Sequence, residues 1–102
     1  MIITGGEHVY PSEVEEAISK HPKVFETAVI GVPDEKWGEA VIAIVILKAG
    51  CQAEPEEIID FCKDKMAGFK KPKKAVFIKP NEMPRTASGK ILHRELRKRY
   101  AL

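Results

Sequence analysis

The stretch AVIAIVIL (40–47) is apolar at every position, so a strand running through it has two faces to bury rather than one. VFETAVIGVP (24–33) precedes it across the polar turn DEKWG (34–38), and the pair reads as two long strands joined by a turn. Upstream, MIITGGEHVY (1–10) begins as a short strand and turns at Gly5-Gly6, predicting a small hairpin. PSEVEEAISKHP (11–22) has helical spacing. Val14, Ala17 and Ile18 supply one stripe, Ser12 and Glu15 form an S-x-x-E capping box, and Pro22 closes it. EPEEIIDFCKDKMAG (54–68) predicts a second helix with the stripe Ile58, Ile59, Cys62 and Met66, Pro55 in its first turn and Gly68 as its C-terminal cap. KAVFI (74–78) is one more strand, and ILHRELRKRY (91–100) a basic helix with Leu92, Leu96 and Tyr100 four residues apart.

This order predicts a single α+β domain, a small mixed β-sheet flanked by helices in two layers, with an N-terminal β-hairpin. At 102 residues and 44% apolar, the chain can bury one modest core but not a deep pocket of its own.

Charge changes this picture. The net charge is +2, yet residues 1–62 hold 4 Lys/Arg against 12 Asp/Glu and residues 63–102 hold 13 against 3, or −8 and +10. A chain divided this way presents a basic face to something anionic, such as phosphates, nucleic acid or an acidic partner. Other classes of chemistry drop out. Cys51 and Cys62 make no CxxC and no disulfide framework, and His8, His21 and His93 lack metal-ligand spacing. The longest apolar run is too short to span a bilayer and no signal peptide is visible, so a reduced, cytoplasmic domain is expected.

PRTASGK (84–90) is too polar and too small-residue-rich for the core, and reads as a mobile loop that delivers Lys90. Gly89-Lys90 resembles the end of a phosphate-binding P-loop, but the first glycine of that motif falls on Pro84 and its hydroxyl position on Ile91. Gly5-Gly6 lacks the third glycine of a dinucleotide fingerprint. Read alone, Lys90 is a solvated charge with no cradle within this chain.

Four segments in order settle the direction: IITGGEHVYPSEVEEAI, AVIGVPDEKWGEAVIAIVIL, AGFKKPKKAVFI and MPRTASGKILHRELR. Together, from Ile2 to Arg97, they resemble the C-terminal domain of the adenylate-forming enzymes, most closely the acyl-CoA synthetases (fatty-acid or aryl-acid CoA ligases). The resemblance implies a large N-terminal domain that binds ATP and the carboxylic acid and is absent here, with the interdomain hinge just before Met1. It also implies an AMP-forming ligase in which acid, ATP and CoA become acyl-CoA, AMP and diphosphate through an acyl-adenylate. Mg²⁺ would sit with ATP in the missing domain, and the chain alone would fold but be inactive.

The family lysine of the P-x-T-x-S-G-K motif matches Lys90. The resemblance makes it the adenylation lysine, holding carboxylate and α-phosphate oxygens where two anions meet. Withdrawal of that lysine by rotation of the whole domain would then bring Gly5 and Gly6 against the pantetheine tunnel, where a Cβ would intrude. Lys71 and Lys73 match positions of cations near the CoA nucleotide, and Trp37 and Phe69 could flank its adenine or pantetheine. The plain alternatives are an ordinary hairpin turn, packed aromatics and surface lysines. Some relatives carry a lysine in the stretch matching Thr4, and this chain does not. No family role extends to Arg94, Arg97, Lys98 and Arg99. Rival readings are the equivalent domain of an enzyme loading a carrier protein, or feeding luciferase-type chemistry, and a free-standing nucleic-acid module. The basic half lacks the interleaved aromatics of the last. Which acid is activated is not written here, because that pocket belongs to the other domain.

Overall fold

The all-apolar run becomes the central strand. The computed structural model describes residues 1–101, with Phe69 described by its backbone alone. β4 (Gly38–Leu47) pairs with β3 (Val24–Asp34) along its whole length, from Asp34↔Gly38 to Val24↔Leu47. Its other edge carries two short partners. β1 (Ile2–Thr4) is antiparallel through Thr4↔Gly38, and β5 (Lys74–Phe77) is parallel from Ile42↔Lys74 to Val45↔Phe77. β2 (Glu7–Val9) extends the sheet beyond β1, giving five strands in one mixed sheet. The α+β class, the mixed sheet and the N-terminal hairpin are those the pattern predicts.

The layering is not. Val41, Ala43 and Val45 pack with Val14 and Ile18 of α1 (Pro11–Ser19) and with Ile58 and Cys62 at α2 (Pro55–Phe61). The alternate residues Ala40, Ile42, Ile44 and Ile46 pack with Met83 and with Leu96 of α3 (His93–Tyr100). Helices therefore cover both faces of the sheet, and the domain has three layers rather than the expected two. The eight-residue apolar stretch 40–47 within β4 gains from cover on both faces, since each isoleucine left wet would forfeit about 1.5–3 kcal/mol.

Three local expectations also change. Ser12 and Glu15 form no capping box: Tyr10 is the N-cap of α1 with no side-chain cap bond, and Pro11 takes the first helical position. Glu15 is spent on tertiary contacts instead. Its Oε2 accepts the Val29 N–H of edge strand β3 at 2.8 Å and lies 2.6 Å from His93 Nε2, tying α1 and α3 around that edge. α2 stops at Phe61 with Cys62 as its cap, because Lys63, Asp64 and Lys65 are all exposed and a helix this short holds only by its buried face. Gly68 therefore caps nothing and begins a single 3₁₀ turn, Gly68–Lys70. α3 starts at His93 rather than Ile91, which is held in a β-bridge to Arg85.

Gly31 marks the tightest approach in the sheet. A Cβ there would stand 2.9 Å from Ile2 Cγ1, Ile2 Cγ2 and Glu39 Oε2. Glu39 Oε1 meanwhile accepts the Ile3 N–H at 2.9 Å, and Ile2 is buried, so β1 has little room to retreat. Gly31→Ala is expected to lower stability by about 1–3 kcal/mol, the usual cost of overpacking. Urea unfolding of the chain reads this directly; an unchanged midpoint would show that β1 yields.

Candidate functional site

Lys90 leaves the domain on a braced turn, not a slack loop. Arg85 and Ile91 pair as an antiparallel bridge, the Thr86 N–H donates to the Lys90 carbonyl at 2.8 Å, and the Leu92 N–H to the Pro84 carbonyl at 2.9 Å. Inside the turn, the Thr86 hydroxyl accepts the Lys90 N–H at 3.1 Å and lies 3.0 Å from the Ser88 hydroxyl. Gly89 closes it at φ 91°, a backbone conformation that side chains resist. The small residues of PRTASGK are thus there to make a tight turn. At its base the Arg85 guanidinium forks onto the Glu26 carboxylate of β3, with Nη1 to Oε2 at 3.0 Å and Nη2 to Oε1 as the second prong. That hydrogen bond raises the already high pKa of Arg85, so the cation is permanent. Lys90 itself is exposed, and its ammonium makes no hydrogen bond or ion pair among the described residues.

Four of the other predicted residues, Gly5, Gly6, Trp37 and Lys73, gather at the far end of the β3–β4 hairpin. Asp34 Oδ1 accepts the N–H groups of Lys36 at 2.8 Å and Trp37 at 2.9 Å, an Asx turn that presents the indole. The Gly5 N–H donates to the Trp37 carbonyl at 2.8 Å, and a Cβ on Gly5 would lie 3.2 Å from Trp37 Cε3, so the N-terminal hairpin packs against the ring. Gly5 and Gly6, at φ 56° and 80°, form the two-residue turn that such left-handed angles allow. Two ammonium groups lie over the indole: Lys73 Nζ at 4.7 Å and Lys36 Nζ at 5.0 Å from the centroid. Trp37 is still 38% exposed, so glycine backbone, aromatic face and cations share an open surface.

Gly5, Gly6, Trp37 and Lys73 are therefore one cluster. Lys71 is half-buried, and its charge reaches the Cys62 thiol, whose pKa is pushed up chiefly by burial. The side chain of Phe69 lies outside the described residues. His21 has core work, accepting the Lys23 N–H on Nδ1 at 3.1 Å and facing Glu57 at 3.2 Å on Nε2. Among the described residues no three His, Cys, Asp or Glu side chains converge on a metal position, and no helix is long and apolar enough to cross a membrane.

The two ends are far apart. From Glu26, beneath the Lys90 turn, to Asp34, beside Trp37, β3 runs eight residues, about 27 Å at strand spacing. In a domain 37 Å long, these are opposite ends.

Residues 13–90 match the model of the AMP-binding enzyme C-terminal domain. The chain belongs to that family. This AMP-binding C-terminal domain is 51% identical over 98 residues to a 2-succinylbenzoate–CoA ligase of Bacillus mycoides, covering 96% of this chain and 20% of that protein. It superposes on a fatty acyl CoA synthetase of Mycobacterium tuberculosis with TM-score 0.90 at 46% identity, over 99% of this chain and 20% of that one. An amide bond synthetase, McbA of Marinactinospora thermotolerans, gives TM-score 0.92 at 32% identity over the same shares. The chain thus spans about a fifth of the length of the relatives it matches.

Three groups at these ends are missing from the predicted site residues. Lys36 could have been found as the neighbour of Trp37 in DEKWG, and Asp34 as the turn-initiating residue. Glu26 had no such signal, because its partner Arg85 lies 59 residues away.

Proposed function

We propose that this AMP-binding C-terminal domain is the alternating lid of an ATP-dependent acyl-CoA ligase. In the first half-reaction a carboxylate oxygen attacks the α-phosphorus of ATP and diphosphate leaves, giving the acyl-adenylate. In the second, the CoA sulfur attacks the acyl carbon, its proton leaves to solvent, and AMP departs. Lys90 serves the first: its ammonium is unpaired and carried on a rigid turn, so it offsets the charge of two anions brought together. The Gly5-Gly6 turn, Trp37 and Lys73 serve the second, offering side-chain-free backbone to the pantetheine arm and an aromatic face with cations to the nucleotide. Lys71 and Phe69 are further proposed CoA contacts. Mg²⁺ is assigned, with ATP, to the N-terminal domain.

The observation that carries this reading is the separation of about 27 Å between the two ends. Each is open to solvent and incomplete, and a single partner surface can use them only in turn. That separation supports rotation of the lid between the half-reactions.

The test is the full-length protein supplied with ATP, Mg²⁺, CoA and acids that include 2-succinylbenzoate and long-chain fatty acids. Acid-dependent AMP, diphosphate and CoA thioester are expected in equal amounts. The isolated chain under the same conditions is expected to make none. Diphosphate release by the isolated chain, or ADP in place of AMP from the full protein, would overturn the assignment.

A further inference from the structure

The Lys90 turn is a nearly self-contained hairpin, so its own hydrogen bonds fix its shape but not the direction in which it points from the sheet. Its two ends continue into the chain on either side. The Pro80–Glu82 3₁₀ turn and buried Met83 precede it, and α3, held by buried Leu96, follows it. Among the described residues, the side-chain hydrogen bonds that join residues 84–90 to the sheet are the two prongs of the Arg85–Glu26 fork. The same guanidinium reaches forward: Nη1 also approaches the carbonyl of Gly89, the residue before Lys90, at 3.4 Å. One planar group thus contacts both the strand and the peptide that carries the lysine. A bidentate fork constrains orientation as well as distance, which a lysine in the same place would not do.

Glu26 is itself aimed. The β3–β4 register shifts between Val24 and Glu26, a bulge that leaves Phe25 65% exposed and turns the strand at this point. Bulges of this sort re-aim a side chain that a regular pleat would point elsewhere. The side chains of both partners are 30% exposed, and the pair lies at the surface. Structural stabilisation alone is a weak reason for a pair at the surface, where such contacts contribute little.

We propose that Arg85 and Glu26 are positioning residues for Lys90, setting the angle at which the lysine enters the adenylation site. The inference rests on the role given to Lys90 above. The fork belongs to the lid in both of its orientations, but only the first half-reaction uses the end it controls. Its loss therefore reads out in one half-reaction and not the other.

The experiment compares Glu26→Gln, Arg85→Lys and the double variant Glu26→Arg with Arg85→Glu, all in the full-length enzyme, with Lys90→Ala as the reference. Each single variant is expected to slow acyl-adenylate formation by about tenfold to a hundredfold, the scale of a small misplacement of a reacting group. Thioester formation from supplied acyl-adenylate and the melting temperature should stay at their unmodified values. The double variant restores a fork to the sheet but its carboxylate cannot donate to the Gly89 carbonyl, so it should be faster in adenylation than either single yet slower than the unmodified enzyme. Single variants with normal adenylation, equal slowing of both half-reactions, or a double variant no better than the singles would each overturn the proposal. If Lys90→Ala itself leaves adenylation unchanged, the fault lies with the role of Lys90. If Lys90→Ala is slow and Glu26→Gln is not, it lies with the fork.

Discussion

In the full-length enzyme, Lys90→Ala is expected to reduce acyl-adenylate formation by about a hundredfold to a thousandfold, the scale of removing one positioned electrostatic group. The substitution removes little else. The turn around Lys90 is built from the Arg85–Ile91 bridge, the Thr86 and Gly89 backbone bonds and the Thr86 hydroxyl, none of which involves the ammonium. Fold and turn should therefore survive with only the charge lost. Transfer of a supplied acyl-adenylate to CoA should proceed near the unmodified rate, since the proposed alternating lid turns its opposite end to the site in that step. Acid-dependent diphosphate exchange measures the first quantity, and a quenched-flow assay starting from acyl-adenylate measures the second. Equal losses in both would mean that Lys90 acts in one fixed arrangement, and the alternating lid would have to be abandoned.

The complementary result is expected at the hairpin. Gly6→Leu should slow thioester formation by about a hundredfold, the cost of displacing a reacting group by about an ångström, while adenylation continues unimpaired. Gly6 is a cleaner position than Gly5 for this test. A Cβ on Gly5 would press on the Trp37 ring at 3.2 Å, so a bulky residue there would move the indole as well as fill the tunnel. A Cβ on Gly6 meets nothing within 4 Å, so substitution there starts in open space rather than against the indole. The substitution does carry strain, because Gly6 sits at φ 80°, and a side chain there costs on the order of 1–3 kcal/mol. Circular dichroism shows whether the hairpin has melted. A folded Gly6→Leu enzyme with normal thioester formation would remove this turn from the thiol site.

Much of this was legible in the linear chain, for identifiable reasons. The run AVIAIVIL required a strand with two buried faces, because nothing polar interrupts it. Gly5-Gly6 between alternating residues required a tight hairpin, because only glycine takes two left-handed positions in succession cheaply. The ordered segments that carry the family, and the lone lysine ending PRTASGK, are likewise properties of the string. Local periodicity and turn chemistry act over a few residues, and a few residues can be read directly.

Other features depended on which distant groups the sheet brings together. Ser12 and Glu15 have the spacing of a capping box, yet Glu15 serves the Val29 N–H and His93, because an unpaired edge of β3 beside α1 competes for its carboxylate. The helix pattern through Met66 is continuous, but α2 ends at Phe61 where burial stops, and packing outranks propensity in a helix so short. Three layers instead of two follow from α3 crossing to the face that α1 and α2 leave open. The same applies to function. It was the family resemblance, carried by ordered segments of the chain, that suggested the roles proposed for each end: Lys90 for anions, and Trp37 with the glycines and Lys73 for CoA. That these ends lie about 27 Å apart, and that Glu26 reaches Arg85 across 59 residues to aim one of them, is geometry set by strand register, which no local pattern encodes.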